Sequence, residues 1–308
     1  MNEQIETAEQ ILTIEPKNKL FYYAIGMSIV DKKQYNGWDG ALEGTKHDPT
    51  NLENAIEKYY NINNKFSQIE KLIITDAACT DENVLKSIAY LSEKAIVGDT
   101  VVILYTGHGG QLWDSNGDEA DDFDETWVLY NRQLPDDYIF LALAQFKKGV
   151  KVILLSDSCH SGTVYRNAEN IATSERRSTK VIPHSVDVNL TQTDNSVVLK
   201  KLASQHLNTI QIGKLKMDKS INISCDLFFI SGCKDDETSG DLPTGGIFTT
   251  AFISILDRYE GNISFQDMIL ELQKTTKGQT PQLSVESPQI RTFLKARALS
   301  KIKKQTIF

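Results

Sequence analysis

The chain has 308 residues, of which 40% are hydrophobic and 24% charged, and it carries a formal net charge of −8. That is enough apolar material for a substantial core, in one large α/β domain or two small ones, while the acidic balance argues against a general nucleic-acid binder, which needs a basic face. No apolar stretch approaches the ~20 residues of a membrane span, the opening MNEQIETAEQILTIEPKNK carries no signal-peptide pattern, and four cysteines are too few for a disulfide framework, so a soluble, cytoplasmic monomer with no nucleic-acid or membrane partner is expected.

In chain order, KLFYYAIGMSIV (19–30) opens as a buried strand: short, rich in aromatic and β-branched residues, and bounded by turn signals. DPTNLENAIEKYYNI then sets Leu52, Ile56 and Tyr59 at helical spacing. KLIITD (71–76) is a shorter strand, and TDENVLKSIAYLSEKA follows with a capping signal at Thr80 or Asp81 before Val84, Ile88 and Leu91. TVVILYTGHGG (100–110) is the next strand, DDYIFLALAQFKKG the next helix, and KVILLSDSCHSG (151–162) the strand after it. From about Val164 to Ser220 the chain turns polar and basic, which reads as a long solvated loop insertion. DLFFISGC (226–233) and the helix GIFTTAFISILDRY complete the pattern. Strands alternating with helices predict a mostly parallel central sheet flanked by helices. The boundaries expected are an N-terminal extension over 1–18 and a single domain over 19–300 with the insertion at about 164–220.

In such a sheet chemistry sits at the carboxyl ends of strands. YTGHGG and SDSCHSG both fall there and are both bracketed by glycine. A cysteine nucleophile needs a base within hydrogen-bond reach and donors for the oxyanion. Of five histidines, only His108 has a comparable setting, 51 positions before Cys159. His160 is adjacent to Cys159 and would point the other way. Asp157 lies two residues before Cys159, so on an extended segment the two side chains face the same way. Cys79, Cys225 and Cys233 read as structural thiols. The motif SGCKDDETSGDLPTGG follows a strand, and Ser231 with residues 235–237 is expected to border the cleft.

YTGHGG, DSCHSGT, SGCKDDETS and TPQLS together resemble the caspase-like cysteine peptidases, and among them the metacaspases, over roughly residues 19–290. The His–Cys spacing agrees with the caspase order. The resemblance implies a caspase–hemoglobinase fold, Cys159 as nucleophile, His108 as base, and the backbone N–H groups of Gly109 and Cys159 as oxyanion hole. It implies a primary pocket shared by Asp48 and Asp157, which selects Arg or Lys in protein and peptide substrates. Asp48 also stands where a helix N-cap before Pro49 would stand, and the two roles are compatible.

The acidic run DSNGDEADDFDE (114–125) is not an EF-hand, because Glu119 occupies the position that needs glycine. By similarity to calcium-stimulated members of the family, Asp124, Asp136 and Asp137 are the expected calcium ligands. A further acidic ligand is implied after the nucleophile motif, where Arg166 stands and Glu169 is the nearby carboxylate. No organic cofactor is expected. An enzyme cutting after basic residues would find sites in its own polar loop, with Arg176, Arg177 and Lys180 as the candidates. The rival reading is a non-catalytic caspase-like binding module. A metal-dependent hydrolase built on the acidic run lacks His or Cys ligands at metal spacing.

Overall fold

A computed structural model describes residues 18–62, 68–113, 123–159, 178–183, 186, 223–234 and 237–286. The elements that build the framework are β1 (Leu20–Gly26), α1 (Asp48–Ile62), β2 (Ile69–Thr75), α2 (Asp81–Lys94), β3 (Thr100–Thr106), β4 (Gly109–Trp113), β5 (Phe123–Val128), β6 (Gln133–Pro135), α3 (Asp136–Leu143) and β7 (Lys151–Asp157). They are followed by β8 (Ser178–Thr179), β9 (Asp226–Ser231), β10 (Gly240–Leu242), β11 (Gly245–Gly246), α4 (Ile247–Arg258), α5 (Phe265–Thr275) and β12 (Gln282–Glu286).

The central sheet has the order β12-β9-β7-β3-β1-β2. Neighbours from β2 to β9 pair in parallel, and β12 closes the edge antiparallel to β9. β1, β3 and β7 are buried along their whole length, which is why each reads as an unbroken apolar run rather than an alternation. Their side chains still alternate between two cores. Phe21, Tyr23 and Ile25 pack with α2 and α3, whereas Leu20, Tyr22 and Ala24 pack with α1, α4 and α5. Two small three-stranded sheets, β4-β5-β6 and β11-β10-β8, stand beyond the central one.

Two helices start where the sequence provides a side-chain acceptor. Thr80 accepts the Asn83 N–H at the head of α2, which carries Asp81 and Glu82 in its first turn and Lys94 in its last. Ser264 caps α5 in the same way through Asp267 N–H. Among the described residues no helix is long and apolar enough to cross a membrane.

The register of β3 against β7 sets Thr106 opposite Asp157. Both strands therefore end level, and the residues that follow each of them, His108 and Cys159, emerge at the same edge of the sheet. On the opposite face of the sheet, Phe228 stacks on Phe265 with ring centroids 3.9 Å apart, and both rings are fully buried. Phe265→Ala is expected to cost about 3–5 kcal/mol. The midpoint of a denaturant titration measures it; a change below about 1 kcal/mol would show that α5 does not depend on this contact.

Candidate active site

The site forms where β3 and β7 end. Gly109 and Cys159 approach so closely that a Cβ on residue 109 would lie 1.6 Å from the Cys159 carbonyl oxygen. Only glycine allows that approach. It places two backbone N–H groups side by side, and both donate to one acceptor, the carbonyl oxygen of Lys180, at 2.9 Å from Gly109 and 3.2 Å from Cys159. These are the two donors expected from the sequence.

Lys180 itself overturns an expectation. Its stretch of chain reads as a solvated basic loop, yet Lys180 is completely buried. Its Nζ lies 3.1 Å from Asp157, 2.9 Å from Thr106 Oγ1, 3.5 Å from Asp48 and 3.9 Å from Asp241. A buried ammonium demands such partners, and the four come from four separate stretches of chain, so no local composition reveals them. Arg176 and Arg177 lie outside the described residues, as do Arg166, Glu169 and the run 114–122.

Each carboxylate in this cage is held. Asp157 accepts from Ser239 Oγ at 2.7 Å, Thr249 Oγ1 at 2.7 Å and Thr249 N–H at 3.1 Å. Asp48 begins α1, but its carboxylate accepts from Thr106 Oγ1 and Gly246 N–H, while the Asn51 amide bonds to His47 O. The Asp48 carboxylate thus faces Thr106, Gly246 and Lys180. Burial pushes Asp48 up to about 6, against the pull of the Lys180 ammonium and with a further push from Asp157. Burial also raises Asp241, which accepts Gly44 N–H at 2.8 Å. Lys180 is pulled down by burial, but the three carboxylates outweigh that and its net shift is upward. Asp241 was not singled out from the sequence; the available signal was a lone aspartate following glycine on a short segment between two turns.

His108 is buried against Trp38, with ring centroids 4.7 Å apart, and its Nε2 meets Gly40 O at 3.2 Å. Its Nδ1 closes no hydrogen bond, and the backbone of Val181 lies beside the ring. Burial lowers its pKa to about 4, so the imidazole is neutral at pH 7. The Cys159 thiol is bracketed by Ser239, whose N–H lies 2.7 Å from sulfur. Cys233 shares a small apolar cluster with Cys159 and Val181, and its thiol is raised by hydrogen bonding to Cys159 and by burial. Burial pushes Cys79 and Cys225 up to about 12, as expected of structural thiols.

Ser231 does not line the Lys180 cage; its hydroxyl donates to Cys233 O and ties the turn after β9. Ser239 is the serine that reaches the site, held in turn by Gln279. Residues 235 and 236 lie outside the described residues, and Glu237 bonds Thr280 Oγ1 at 2.7 Å. Asp124 is buried on β5, and Asp136 and Asp137 open α3, with Asp136 accepting the Asp137 N–H. Among the described residues no three His, Cys, Asp or Glu side chains come together as a metal site.

His108 and Cys159 thus both lie just beyond the ends of adjacent parallel strands. Residues 27–293 match the caspase domain model, and the chain belongs to that peptidase family, C14. It is 28% identical to metacaspase-1 of Pyricularia oryzae over 82% of this chain and 70% of that protein. It is 27% identical to metacaspase-1 of Debaryomyces hansenii over 83% of this chain and 63% of that protein, so it spans roughly two thirds of these relatives. The crystal structure of protein GSU0716 from Geobacter sulfurreducens superposes with a TM-score of 0.73 at 28% identity, covering 92% of this chain and all of that one.

Two buried groups give the stability of this site opposite responses to pH. His108 has a folded-state pKa near 4, below the ordinary 6.5, so its contribution is present above pH 6.5 and lost as pH falls toward 4. Asp48 has a folded-state pKa near 6, above the ordinary 3.8, so its contribution is present below 3.8 and lost as pH rises through 6. Relative to the unaltered chain, His108→Gln should gain stability between pH 6.5 and 4, and Asp48→Asn should lose it over pH 6 to 4. Each slope is at most about 1.4 kcal/mol per pH unit. Denaturant titrations at four pH values test this; parallel profiles for all three chains would refute it.

Proposed function

We propose that this chain is an endopeptidase that cleaves after Lys or Arg through a Cys159–His108 dyad, and that the Lys180–Val181 bond is its own internal substrate. The observation that carries this reading is the seat of Lys180. Its carbonyl oxygen accepts from both Gly109 and Cys159 amides while its ammonium enters a cage of three aspartates. An extended peptide whose carbonyl meets two converging amides beside a thiol is poised as a substrate is poised. The flanking backbone supports the same reading: Lys180 N–H donates to Ser239 O at 2.9 Å, and Thr179 pairs with Gly240.

The chemistry follows from these positions. His108 takes the proton of the Cys159 thiol, and sulfur attacks the carbonyl carbon of the basic residue. The oxyanion gathers charge between the Gly109 and Cys159 amides. The C–N bond breaks as His108 delivers the proton to the leaving amine. Water then attacks the thioester, His108 accepts its proton, and the acid leaves as the thiol is restored. A neutral imidazole with one uncommitted nitrogen suits both steps. No step uses calcium.

The pocket favours cations because three carboxylates surround one ammonium, and Arg fits through paired N–H donation as well as charge. Gly246 keeps the pocket open: a Cβ there would lie 2.1 Å from Asp157 Oδ2 and 2.3 Å from Lys180 Nζ.

Cys159→Ala and His108→Ala are each expected to lower hydrolysis of Lys and Arg peptides by at least about 1,000-fold. Mass spectrometry of the incubated chain should show a fragment ending at Lys180 that is missing from Cys159→Ala and Lys180→Ala. A scan of fluorogenic peptides over the residue before the cut measures specificity. Hydrolysis retained in Cys159→Ala, or a preference for Asp over Arg and Lys, would sink the reading.

A further inference from the structure

On the leaving side of the Lys180–Val181 bond the chain is held as firmly as on the other. Gly109 pairs in parallel with Val181, and Ile182 N–H donates to Gly109 O at 2.9 Å. An extended segment alternates its side chains. Lys180 enters the carboxylate cage, Val181 packs with Cys159 and Cys233, and Ile182 is buried in the core that includes Trp127 and Leu134. Ile182 is 2% exposed. Its room comes from Gly110, where a Cβ would lie 2.7 Å from Ile182 Cγ2 and 2.2 Å from Gln133 Oε1.

Given the peptidase reading above, on which this rests, we propose that the position of Ile182 is an apolar subsite for the second residue beyond the cleaved bond. Its ligand is a branched aliphatic side chain, and Gly110 is the residue that sets its size. The substrate class then narrows from Lys or Arg at the cut to Lys or Arg with Ile, Val or Leu two residues beyond it. Specificity of this kind depends on backbone hydrogen bonds for register and on one buried side chain for discrimination. Burying one branched aliphatic side chain instead of a carboxylate predicts roughly 10- to 100-fold in kcat/KM.

The test uses the full chain and internally quenched peptides Ser-Thr-Lys-Val-X-Pro, with X = Ile, Val, Ser or Asp, beside a Ser-Thr-Lys aryl amide that has no leaving-side residues. The expected result is Ile and Val above Ser, and Ser above Asp, by kcat/KM. In Gly110→Ala, with each rate divided by that variant's own aryl-amide rate, the Ile-to-Ser ratio should fall at least several-fold. Should that variant fail to fold, the peptide series on the unaltered chain decides alone. Equal rates for Ile and Asp with the aryl amide cleaved, or cleavage of the aryl amide only, overturns the subsite and leaves the peptidase reading standing. Cleavage of none of them removes the peptidase reading and the subsite with it.

Discussion

Asp157 is the group on which the arrangement of this site depends. It is fully buried, and a buried carboxylate is tolerable only when its oxygens are taken up by donors. Its donors come from Ser239 ahead of β10, from Thr249 in the first turn of α4, and from Lys180. One charge at the end of β7 therefore draws three separate stretches of chain onto the edge of the central sheet. The Ser239 hydroxyl is fixed by Asp157 while its amide lies against the Cys159 sulfur, so the carboxylate also positions the thiol's neighbour. Removing the carboxylate would leave Lys180 with Thr106 Oγ1 at 2.9 Å and two more distant carboxylates at 3.5 and 3.9 Å.

The framework was legible because its signal is local. β1, β3 and β7 are continuous apolar runs and α1 spans the same residues that its periodicity marks. His108, Cys159 and Asp157 were legible for a related reason: each sits within two residues of the end of such a run. What was not legible depends on partners distant in sequence. β4, β10 and β11 are short and exist only through pairing with other short strands. Asp241 reaches the cage from 197 residues beyond its partner Gly44, and nothing in its neighbours distinguishes it from a turn aspartate. The helix Phe265–Thr275 was passed over although Ser264 caps it and Phe265, Met268 and Leu272 form its buried face.

Lys180 is the sharpest case. Composition places lysine in polar sequence at the surface, and that rule holds for most lysines. It fails where a cage of opposite charge offsets the desolvation of the ammonium. Both raised carboxylates, Asp48 and Asp241, owe their shift first to burial. The same segment that covers the carboxylates also buries His108, whose depressed pKa is likewise a burial effect. The stretch Ser178–Ile182 thus lies against both the imidazole and the cage. Lifting it would return water to both.

Three glycines shape the groove that this stretch fills, each through the side chain it lacks. At 109 the missing Cβ lets the backbone come against the Cys159 carbonyl, which aligns the two amides on a single acceptor. At 246 it leaves room for a cation among carboxylates, since a methyl there would overlap both Asp157 Oδ2 and Lys180 Nζ. At 110 it leaves room for the branched side chain of Ile182. The first lets the Lys180 carbonyl meet both amides, the second makes room for the Lys180 ammonium, and the third makes room for the Ile182 side chain. The groove is therefore specified at both ends and at its centre by backbone that comes closer to its neighbours than any side chain would permit. The consequence is that alanine, elsewhere the mildest of substitutions, is a large one at each of these three places.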